Sequence, residues 1–514
     1  MFNIINWHSF VTSIAFLLFS SCNDGDKKET DNPNIIYILA DDLGYGELGC
    51  YGQEKIETPN IDKLASKGVV FTDHYSGAPV CAPARGILLT GKHAGHAYIR
   101  SNDPWAERGN VMDFEAAIND PYLEGQRPLK EGTATIGTIL QKVGYRTAII
   151  GKWGLGAPNT NGIPNAQGFD YFYGYNCQRQ AHTYFPVHLW ENEDKVLLDN
   201  KLVIPGKKLP DGVDIYSQDV YSDYWLNDYA PELMQKEALQ FISENKEDPF
   251  FLYYASPLPH MPLQAPKHWI DYYVQKFGDE EPYLGDDGYF PHRYPRACYA
   301  AMISYLDEQV GEIVQKLEDL NLLENTLIIF SSDNGPTYNG GSDAEWFKSA
   351  SPLVTQKGRT KGNLYEGGIR IPMVAAWKGK IKEGRKTDLL SAHYDILPTI
   401  CDLVGAEIPD QTDGISFLPE LLGNGIQQEH KFLYWEFPAA GGQQAVRLGK
   451  WKGLRQNIRE GNLKFALYDL ENDVLEKNDL YNQHPEIVNE IKAIFNSEHE
   501  PAEIEAYKMP QLGD

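Results

Sequence analysis

The sequence has no closely spaced cysteines and a marked deficit of positive charge. Its six cysteines are spread over 514 residues without a CxxC pair, so neither a zinc site nor a dense disulfide scaffold is indicated. There are 46 Lys and Arg residues against 72 Asp and Glu, which gives a net charge of -26. This balance argues against nucleic acid or an anionic membrane surface as a partner. An anionic substrate would therefore need local cations or a bound metal.

The chain also lacks an apolar run long enough to span a membrane. Near the N-terminus, residues 14–19 (IAFLLF) end a short apolar run that is followed by two serines and Cys22. Small residues before a cysteine resemble a bacterial lipobox. This predicts that residues 1–22 are a lipoprotein-type signal peptide with Cys22 lipidated, and that residues 23–33 are a flexible tether. An ordinary cleaved signal peptide is the alternative, because residues 1–10 contain no Lys or Arg.

Either signal predicts an exported protein, located in the periplasm, on the outer membrane or at the cell surface. Contact with a membrane would then be made only through the lipid anchor. The composition itself is ordinary for a globular protein, with 42% hydrophobic and 23% charged residues. A chain of this length predicts one large domain and a smaller one.

Polar residues follow several predicted strands at the point where each strand ends. Continuous apolar runs predict buried strands at 34–40, 146–150, 250–255 and 326–331, with helical spacing at 58–68, 134–143 and 300–320. The order of strand, polar residues and helix predicts an α/β layer architecture with a site along one edge of the sheet.

The pattern changes near residue 431 to short alternating strands. They are predicted at 432–437, 444–448, 451–454 and 464–469, and a helix is predicted at 485–495. We therefore predict a catalytic domain at 34–425 and a small α+β subdomain at 426–514. Residues 103–131 and 176–228 are long, aromatic-rich and weakly periodic, which is typical of substrate-binding insertions.

Residues 81–92 (CAPARGILLTGK) carry the most specific motif in the chain. They resemble the first motif of the sulfatase family, C-x-P-x-R followed by L-x-T-G-R/K. In that family a maturation enzyme oxidises the cysteine to Cα-formylglycine. The resemblance implies that Cys81 becomes the nucleophile, that Arg85 orients its hydrate, and that a formylglycine-generating enzyme is a partner. A cysteine packed at a helix start beside a solvated arginine is the alternative.

Three carboxylates and an amide follow two of the predicted strands. Asp41, Asp42, Asp333 and Asn334 offer the oxygen ligands that a hard divalent cation prefers. Without a cation, the buried carboxylates would repel one another. The resemblance assigns these four residues, with the oxygen of residue 81, as ligands of one calcium ion. Magnesium remains open as the ion, and turn or N-cap roles are the alternative for any single residue.

Residues 144–153 (GYRTAIIGKW) resemble the second sulfatase motif, G-Y-x-T-x-x-x-G-K-W. The resemblance implies that Lys152 contacts sulfate. The family usually continues with a histidine, whereas this chain has Gly154. We hypothesise that His182, from the long insertion, enters that space. A surface histidine is the alternative.

Two further segments resemble family motifs. Residues 259–262 (PHMP) resemble P-H-x-P, which implies that His260 protonates the leaving alcohol. Residues 358–370 resemble K-G-x-x-x-E-G-G-x-R, which implies that Lys361 binds sulfate.

The resemblance extends from residue 34 to about residue 480 and identifies the chain as a member of the formylglycine-dependent, Cys-type sulfatases. It is similar to arylsulfatases and to bacterial polysaccharide sulfatases. It implies an alkaline-phosphatase-like α/β sandwich, with a large mixed central sheet flanked by helices and a small C-terminal antiparallel sheet with one helix. The implied activity is removal of sulfate from a sulfated glycan, exo-acting on an algal or host polysaccharide.

Substrate contacts are the least constrained part of the prediction. The candidates for sugar contacts are Arg100, Asn102, Arg179 and His182. Aromatic residues of the insertions could stack on sugars, with core packing as the alternative; they are Trp105, Tyr122, Tyr173, Tyr184 and Trp190. Two other functions remain open: a phosphate or phosphonate ester hydrolase of the same superfamily, and an inactive glycan-binding homologue that lost activity with the missing histidine.

Overall fold

A ten-stranded mixed sheet forms the centre of the protein in the computed structural model, which describes Met1 and residues 32–514. Its strands and those of two smaller sheets are β1 (Asn34–Ala40), β2 (Val69–Phe71), β3 (His74–Tyr75), β4 (Arg146–Lys152), β5 (Tyr171–Tyr175), β6 (His188–Glu191), β7 (Asp194–Leu197), β8 (Phe250–Ala255), β9 (Thr326–Ser332), β10 (Met373–Ala376), β11 (Arg385–Thr387), β12 (Ser391–Ala392), β13 (Leu433–Phe437), β14 (Gln443–Leu448), β15 (Trp451–Gln456) and β16 (Phe465–Asp469).

Helices cover both faces of this sheet. The α-helices of the described residues are α1 (Pro59–Ser66), α2 (Cys81–Thr90), α3 (Phe114–Asn119), α4 (Ile136–Lys142), α5 (Ala230–Glu244), α6 (Lys267–Phe277), α7 (Pro295–Asp319), α8 (Ala344–Phe347), α9 (Glu366–Ile369), α10 (Ile396–Val404), α11 (Leu418–Leu422) and α12 (Pro485–Ser497). In the described part of the chain, no helix is both long and apolar enough to cross a membrane.

The strand order of the large sheet is β11-β2-β10-β9-β1-β8-β4-β5-β6-β7. Strands β9, β1, β8, β4 and β5 run parallel to one another, whereas β10 pairs antiparallel with β9, and β6 pairs antiparallel with both β5 and β7. The carboxyl ends of the five parallel strands therefore meet at one edge, where ligand sites of open α/β sheets lie. The predicted mixed α/β fold is confirmed.

Strand β1 shows why the predicted strands were continuous apolar runs. Ile36 and Ile38 pack into the hydrophobic cluster on one face of the sheet, and Ile35 and Tyr37 into the cluster on the other. All four are at most 1% exposed. Because helices cover both faces, a central parallel strand buries every side chain and shows no polar alternation.

The C-terminal region forms the predicted antiparallel sheet, in the order β13-β14-β15-β16, with α12 packed against it. Asn32–Asp514 forms one compact unit, and the proposed boundary between 34–425 and 426–514 stays a prediction. The predicted signal peptide 1–22, the lipidation of Cys22 and most of the tether 23–33 lie outside the described residues. The five cysteines that are described carry free thiols.

Two element predictions need correction. Helix α7 begins at Pro295, not at residue 300, because the fixed φ and missing N–H of proline suit the first turn of a helix. The stretch 176–228 is less irregular than predicted, since β6 and β7 form an antiparallel pair that extends the edge of the large sheet. Their four-residue length left too little alternation for a sequence pattern to show.

Candidate active site

The carboxyl edge of the parallel strands places Cys81 against two strand ends. Cys81 is the first residue of α2 and is 2% exposed. Its Sγ lies 3.4 Å from Asp41 Oδ1, directly after β1, and 3.5 Å from Lys152 Nζ, at the end of β4. Lys152 Nζ also donates to Asp41 Oδ2 at 2.5 Å. The structure therefore brings the motif cysteine, the motif lysine and the first aspartate together.

The remaining predicted metal ligands meet beside them. The backbone N–H of Asp42 donates to Asp333 Oδ1 at 3.1 Å, and Asn334 Nδ2 donates to Asp42 Oδ1 at 2.8 Å. Asp42 adopts a φ of 68°, which turns its side chain back into the site. Ligand atoms lying within 4.8 Å of one another are offered by Asp41, Asp42, Cys81 and His260.

The amide of Asn334 supplies an independent test of whether a cation fits. Its Oδ1 is buried and has no hydrogen-bond partner among the described residues. A buried carbonyl oxygen without a partner is costly unless a ligand satisfies it. Together with the three aspartates, this oxygen makes a donor set that suits a hard cation such as calcium or magnesium. The side chains present therefore fit one divalent ion.

Three cations surround the carboxylates and answer the problem posed by the acidic net charge. Arg85 donates to Asp333 Oδ2 through Nε at 3.1 Å and Nη2 at 2.9 Å, and through Nη1 to the carbonyl of Lys152 at 2.7 Å. Lys361 Nζ donates to Asp42 Oδ2 at 2.6 Å. Because these groups are buried, their field acts over a short distance with little screening. Three cations and three carboxylates make the site locally neutral, although the whole chain is acidic.

Burial raises the pKa of both central carboxylates, Asp41 and Asp333, and neighbouring cations lower it. Burial alone would raise the pKa of Asp41, but Lys152 and its other cationic neighbours hold that pKa well below its usual range. Burial and the charge of Asp41 raise the pKa of Asp333, and Arg85 opposes this rise. Burial, followed by Asp41, raises the pKa of the Cys81 thiol well above its ordinary value. A divalent cation would relieve the repulsion between the carboxylates.

His260 faces the carboxylates from the loop after β8. Its Nδ1 lies 2.6 Å from the carbonyl oxygen of Met261, which can only accept, so Nδ1 carries the proton and Nε2 lies 3.8 Å from Asp42 Oδ2. Burial and the positive charges of Lys361 and Lys152 lower the pKa of His260 well below 6.5. In the free protein His260 is therefore neutral.

His182 does come to this site from the long insertion. Its ring stacks on His260 with centroids 5.4 Å apart and planes at 19°. Burial, and then His260, lower the pKa of His182 well below 6.5. The hypothesis that His182 approaches the site agrees with this placement. The ring contacts His260, however, and does not fill the space above Gly154.

Gln178 fills that space, and the sequence analysis missed it. Gly154 has a φ of +79°, and a Cβ atom added there would lie 2.4 Å from Gln178 Cγ and 2.5 Å from its Nε2. The oxygen of the Gln178 amide accepts from Gln126 Nε2 at 3.0 Å, while its Nε2 is buried and unpaired among the described residues. The glycine in the motif was the available sequence signal for this contact, because a position without a side chain leaves room for one from another segment.

The other predicted sugar contacts divide into two groups. Asn102 is exposed and its Oδ1 accepts from the N–H of Ala82, so it lies beside the start of α2. Arg179 is half-buried at the start of the turn that ends at His182. Arg100 is instead buried, donating to Glu436 Oε1 at 2.8 Å and to three backbone carbonyls. Its donors are used to hold the C-terminal region, which does not support the predicted contact with sugar.

The aromatic candidates divide in the same way. Tyr173, Tyr184 and Trp190 are at most 6% exposed and belong to the core, as the alternative interpretation held. Tyr184 Oη lies 2.5 Å from the carbonyl oxygen of His260, so it supports the histidine loop. Tyr122 is 63% exposed, and Trp105 is half-buried. These last two remain available to a sugar.

Comparisons with known proteins agree with this geometry. Residues 33–406 match the family model described as Sulfatase, and residues 359–500 match that described as N-sulphoglucosamine sulphohydrolase, C-terminal. The chain is 29% identical to the N-acetylgalactosamine-6-O-sulfatase of Bacteroides thetaiotaomicron, over 93% of this chain and 96% of that protein. It is 33% identical to arylsulfatase A of Homo sapiens, over 82% of this chain and 74% of that protein.

A solved structure resembles the fold over almost its full length. The structure of Ps i-CgsB superposes with a TM-score of 0.71 at 26% identity, covering 93% of this chain and 94% of that one. A second structure of that protein holds k-i-k-neocarrahexaose. The family model spans more than half of this chain, and the motif residues meet in one buried site. The chain therefore belongs to the sulfatase family and is a sulfuric ester hydrolase.

Proposed function

We propose that this protein removes sulfate from the end of a sulfated glycan, using a formylglycine made from Cys81. The observation that carries the proposal is the position of Cys81 at the head of α2, within 3.5 Å of both Asp41 and Lys152. The reacting side chains are almost fully buried, with Lys152 1% and His260 4% exposed. A site this enclosed suits a terminal sugar better than the middle of a chain.

The proposed reaction begins with the hydrate of residue 81. One of its hydroxyls attacks sulfur, and the bond from sulfur to the sugar oxygen breaks. Lys152 and Lys361 hold the sulfate oxygens, while Arg85 fixes Asp333 beside the attacking hydroxyl to receive its proton. A calcium ion held by the aspartates and Asn334, with magnesium as the alternative, would neutralise these carboxylates and polarise the sulfate oxygens.

The leaving oxygen requires a proton. Nε2 of His260 is the group oriented to supply it, since Nδ1 is committed to the Met261 carbonyl. The charge of a bound sulfate ester opposes the effect of Lys152 and Lys361 on His260, so substrate binding favours its protonated form. The second hydroxyl of residue 81 then forms the aldehyde as sulfate leaves, and water restores the hydrate. An aldehyde therefore avoids a second attack at sulfur.

Three observations support the choice of a glycan. The relatives include a protein named for N-acetylgalactosamine 6-sulfate and a structure with a carrageenan-type oligosaccharide. The exposed Asn102 also lies beside the head of α2, where its Oδ1 accepts from the N–H of Ala82 at 3.0 Å and a sugar can contact it. The N-terminal signal pattern supports export to the outside of the cell, where polysaccharides are found.

The test is sulfate release by protein co-expressed with a maturation enzyme. Substrates are N-acetylgalactosamine 6-sulfate, sulfated carrageenan oligosaccharides, and a matched pair of aryl sulfate and aryl phosphate esters. Peptide mass at residue 81 should show the aldehyde, and Cys81→Ala should abolish release whereas Cys401→Ala, a buried cysteine in α10, should not. Full activity with an unmodified thiol would overturn the mechanism. Faster hydrolysis of the aryl phosphate than of the aryl sulfate would favour the phosphoesterase alternative. Glycan binding without sulfate release would favour the inactive homologue.

A further inference from the structure

Two arginines near the active site have donors with no acceptor. Arg108 is 9% exposed and uses only Nη1, which donates to the carbonyl of Glu124 at 2.7 Å. Arg179 uses only Nη1, which lies 3.7 Å from the weak acceptor Sδ of Met112. In both residues Nε and Nη2 are buried and have no hydrogen-bond partner in the part of the chain that the structure describes. Neither guanidinium forms an ion pair with a described carboxylate.

The unpaired atoms are the same in both side chains. Nε and Nη2 are adjacent along one edge of the guanidinium, and this edge donates two parallel hydrogen bonds to a carboxylate or a sulfate. The ring of Trp105 lies 4.6 Å from the guanidinium carbon of Arg108, so it covers a face and leaves the edge free. Each unpaired edge therefore has the geometry that binds an anion.

The surrounding carboxylates do not fill this role. The side chain of Glu124 lies against Trp190, His188 and Lys195. The segments that carry the two arginines are in contact: directly after Glu124, whose carbonyl accepts from Arg108, the carbonyl of Gly125 accepts from Cys177 Sγ at 3.8 Å and Gln126 Oε1 accepts from the N–H of Gln178 at 3.0 Å. Burial, and to a lesser degree the charge of Arg179, lower the pKa of Arg108. A buried charge without a counter-ion is strongly disfavoured, and two like charges more so. An external anion would satisfy both.

Arg127 shows what a purely structural arginine does in the same region. Its guanidinium lies 6.0 Å from the same Trp105 ring, but it donates to Asp103 at 2.5 Å and to Glu107 at 2.6 Å. Its edge is occupied by carboxylates of its own loop. In Arg108 and Arg179, by contrast, no described carboxylate pairs with the Nε and Nη2 edge.

Arg179 also lies in the same short turn as a residue that borders the reacting groups. Arg179 and His182 belong to one 3₁₀ turn, Gln178–His182, in which residues three apart project from the same side about 6 Å apart along the axis. His182 stacks on His260, which borders the sulfate position. The amide groups of Asn176 and Gln178, at and just before the start of this turn, also contain buried polar atoms without partners. Unpaired polar atoms therefore occur in and just before the turn that joins Arg179 to the histidine beside the reacting groups.

We propose that Arg108 and Arg179 form a second anion subsite, which binds a carboxylate or a second sulfate on the substrate about one sugar substituent away from the ester that is cleaved. The inference rests on the proposed function of the site as a glycan sulfatase. It adds that the preferred substrate carries two anionic groups. Substrates of this kind are disulfated hexosamines and sulfated sugars joined to a uronic acid.

The experiment compares three probes that share one scissile ester. They are N-acetylgalactosamine 6-sulfate, its 4,6-disulfate, and a disaccharide of the 6-sulfate with a uronic acid. For the mature enzyme we expect kcat/KM to be at least about tenfold higher for one of the two doubly charged probes, since a bidentate charge-assisted pair contributes about that factor. The preferred probe shows whether the subsite binds a second sulfate or a carboxylate. Arg108→Gln and Arg179→Gln should remove most of that preference, and Arg179→Lys should restore only part of it.

Arg127→Gln is the matched control and should keep the preference of the parent. Binding is measured in parallel by calorimetry on Cys81→Ala, which has no nucleophile, so that the subsite is tested even without turnover. Equal kcat/KM for singly and doubly charged probes, or a preference that survives both Gln variants, overturns the subsite while leaving the sulfatase function intact. Preferential binding of a doubly charged probe without sulfate release supports the subsite and overturns the proposed function. Absence of both binding preference and release overturns both.

Discussion

At the scale of single residues, the space beside Gly154 is the feature that separates this chain from the usual family motif. The backbone there has a φ of +79°, and Gln178 occupies the volume where a side chain would start. A substituent at 154 would have to displace a buried glutamine that is hydrogen-bonded to Gln126. The glycine and the glutamine therefore depend on each other.

We predict that Gly154→Ala is destabilising by more than backbone strain alone. The left-handed conformation costs a residue with a Cβ about 1–2 kcal/mol, and the overlap with Gln178 adds about 1–3 kcal/mol. Gly144→Ala is the control, because Gly144 has a φ of +90° with no atom within 4 Å of its added Cβ. Denaturant unfolding of both variants, and of Gly154→Ala with Gln178→Ala, measures the difference. Equal losses for the two alanine variants would contradict the packing argument.

The unpaired oxygen of Asn334 leads to a prediction about metal. Removal of divalent ions by a chelator should lower the thermal midpoint and abolish sulfate release, since a ligand at a hundred times its Kd stabilises by about 2.7 kcal/mol. Added calcium should restore both. Asn334→Ala should shift the calcium dependence of the midpoint to higher concentration, whereas Asn165→Ala, whose Oδ1 is also buried and unpaired but lies outside the motifs, should not. A midpoint independent of calcium in the parent protein would exclude the ion.

At the scale of secondary-structure elements, Asp395 joins the start of α10 to a distant loop. Its Oδ2 accepts from the N–H of Ala392 at 2.8 Å, and its Oδ1 accepts from the N–H of Ile415 at 2.8 Å. His430 Nε2 lies 2.7 Å from the same Oδ1. Burial alone would lower the pKa of His430, but Asp395 outweighs it and raises this pKa above 6.5.

This pair gives a prediction for pH. Because the folded pKa of His430 exceeds the unfolded value of about 6.5, its stabilisation is complete below that unfolded value and is lost as the pH rises through the folded pKa. A charge-assisted hydrogen bond of this kind contributes about 1.5–3 kcal/mol. His430→Gln should therefore flatten the fall of the thermal midpoint between about pH 6 and about pH 9.

Two features define the control for this measurement. His96 and His499 also have raised pKa values beside acidic partners, so part of the slope remains in the variant. His484→Gln removes a partly exposed histidine that lies 3.6 Å from Glu486, and it should leave the profile as in the parent. An unchanged slope in His430→Gln would show that the pair does not titrate in this range.

At the scale of the whole molecule, the C-terminal sheet is tied to the catalytic region by buried contacts. Lys452 of β15 lies 2.9 Å from Glu366 of α9 and 2.8 Å from Glu476, and all three side chains are fully buried. Trp435 of β13 donates to the carbonyl of Ser76 at 2.7 Å. Because α9 follows the loop that carries Lys361, the small sheet supports that loop.

We predict that Lys452→Met destabilises the protein by about 3–5 kcal/mol. The change leaves buried Glu476 without a cation, and it leaves Glu366 with only the more distant Arg370 and Arg447. Lys450→Met, in the turn before the same strand, should cost much less, since Lys450 is 41% exposed and Asp469 keeps its hydrogen bond from Asn472. Thermal midpoints and denaturant unfolding compare the two variants. Similar small losses in both would mean that the buried triad does not hold the sheet to the rest of the chain.

Much of the fold followed from local patterns. The runs at β1, β8 and β9 are apolar because both faces of a central parallel strand are covered, and this requirement acts on every residue of the run. The meeting of Asp41, Asp42 and Asp333 was also predictable from local sequence. They directly follow β1 and β9, and the carboxyl ends of parallel strands lie at one edge of the sheet. The short strands β6 and β7, by contrast, are set by pairing with their neighbours, which no local pattern records.

The sequence by itself determined the family, the parallel core, the cysteine at the head of α2 and the residues that can hold a cation, because each depends on a short motif or on a strand end. Only the tertiary structure decided the partners of individual side chains. It paired Arg100 with Glu436, 336 positions away, it placed Gln178 against Gly154, and it left the edges of Arg108 and Arg179 unpaired. Such partners lie on segments that meet only after folding, and the same arginine in the sequence can become a structural ion pair or an open binding site.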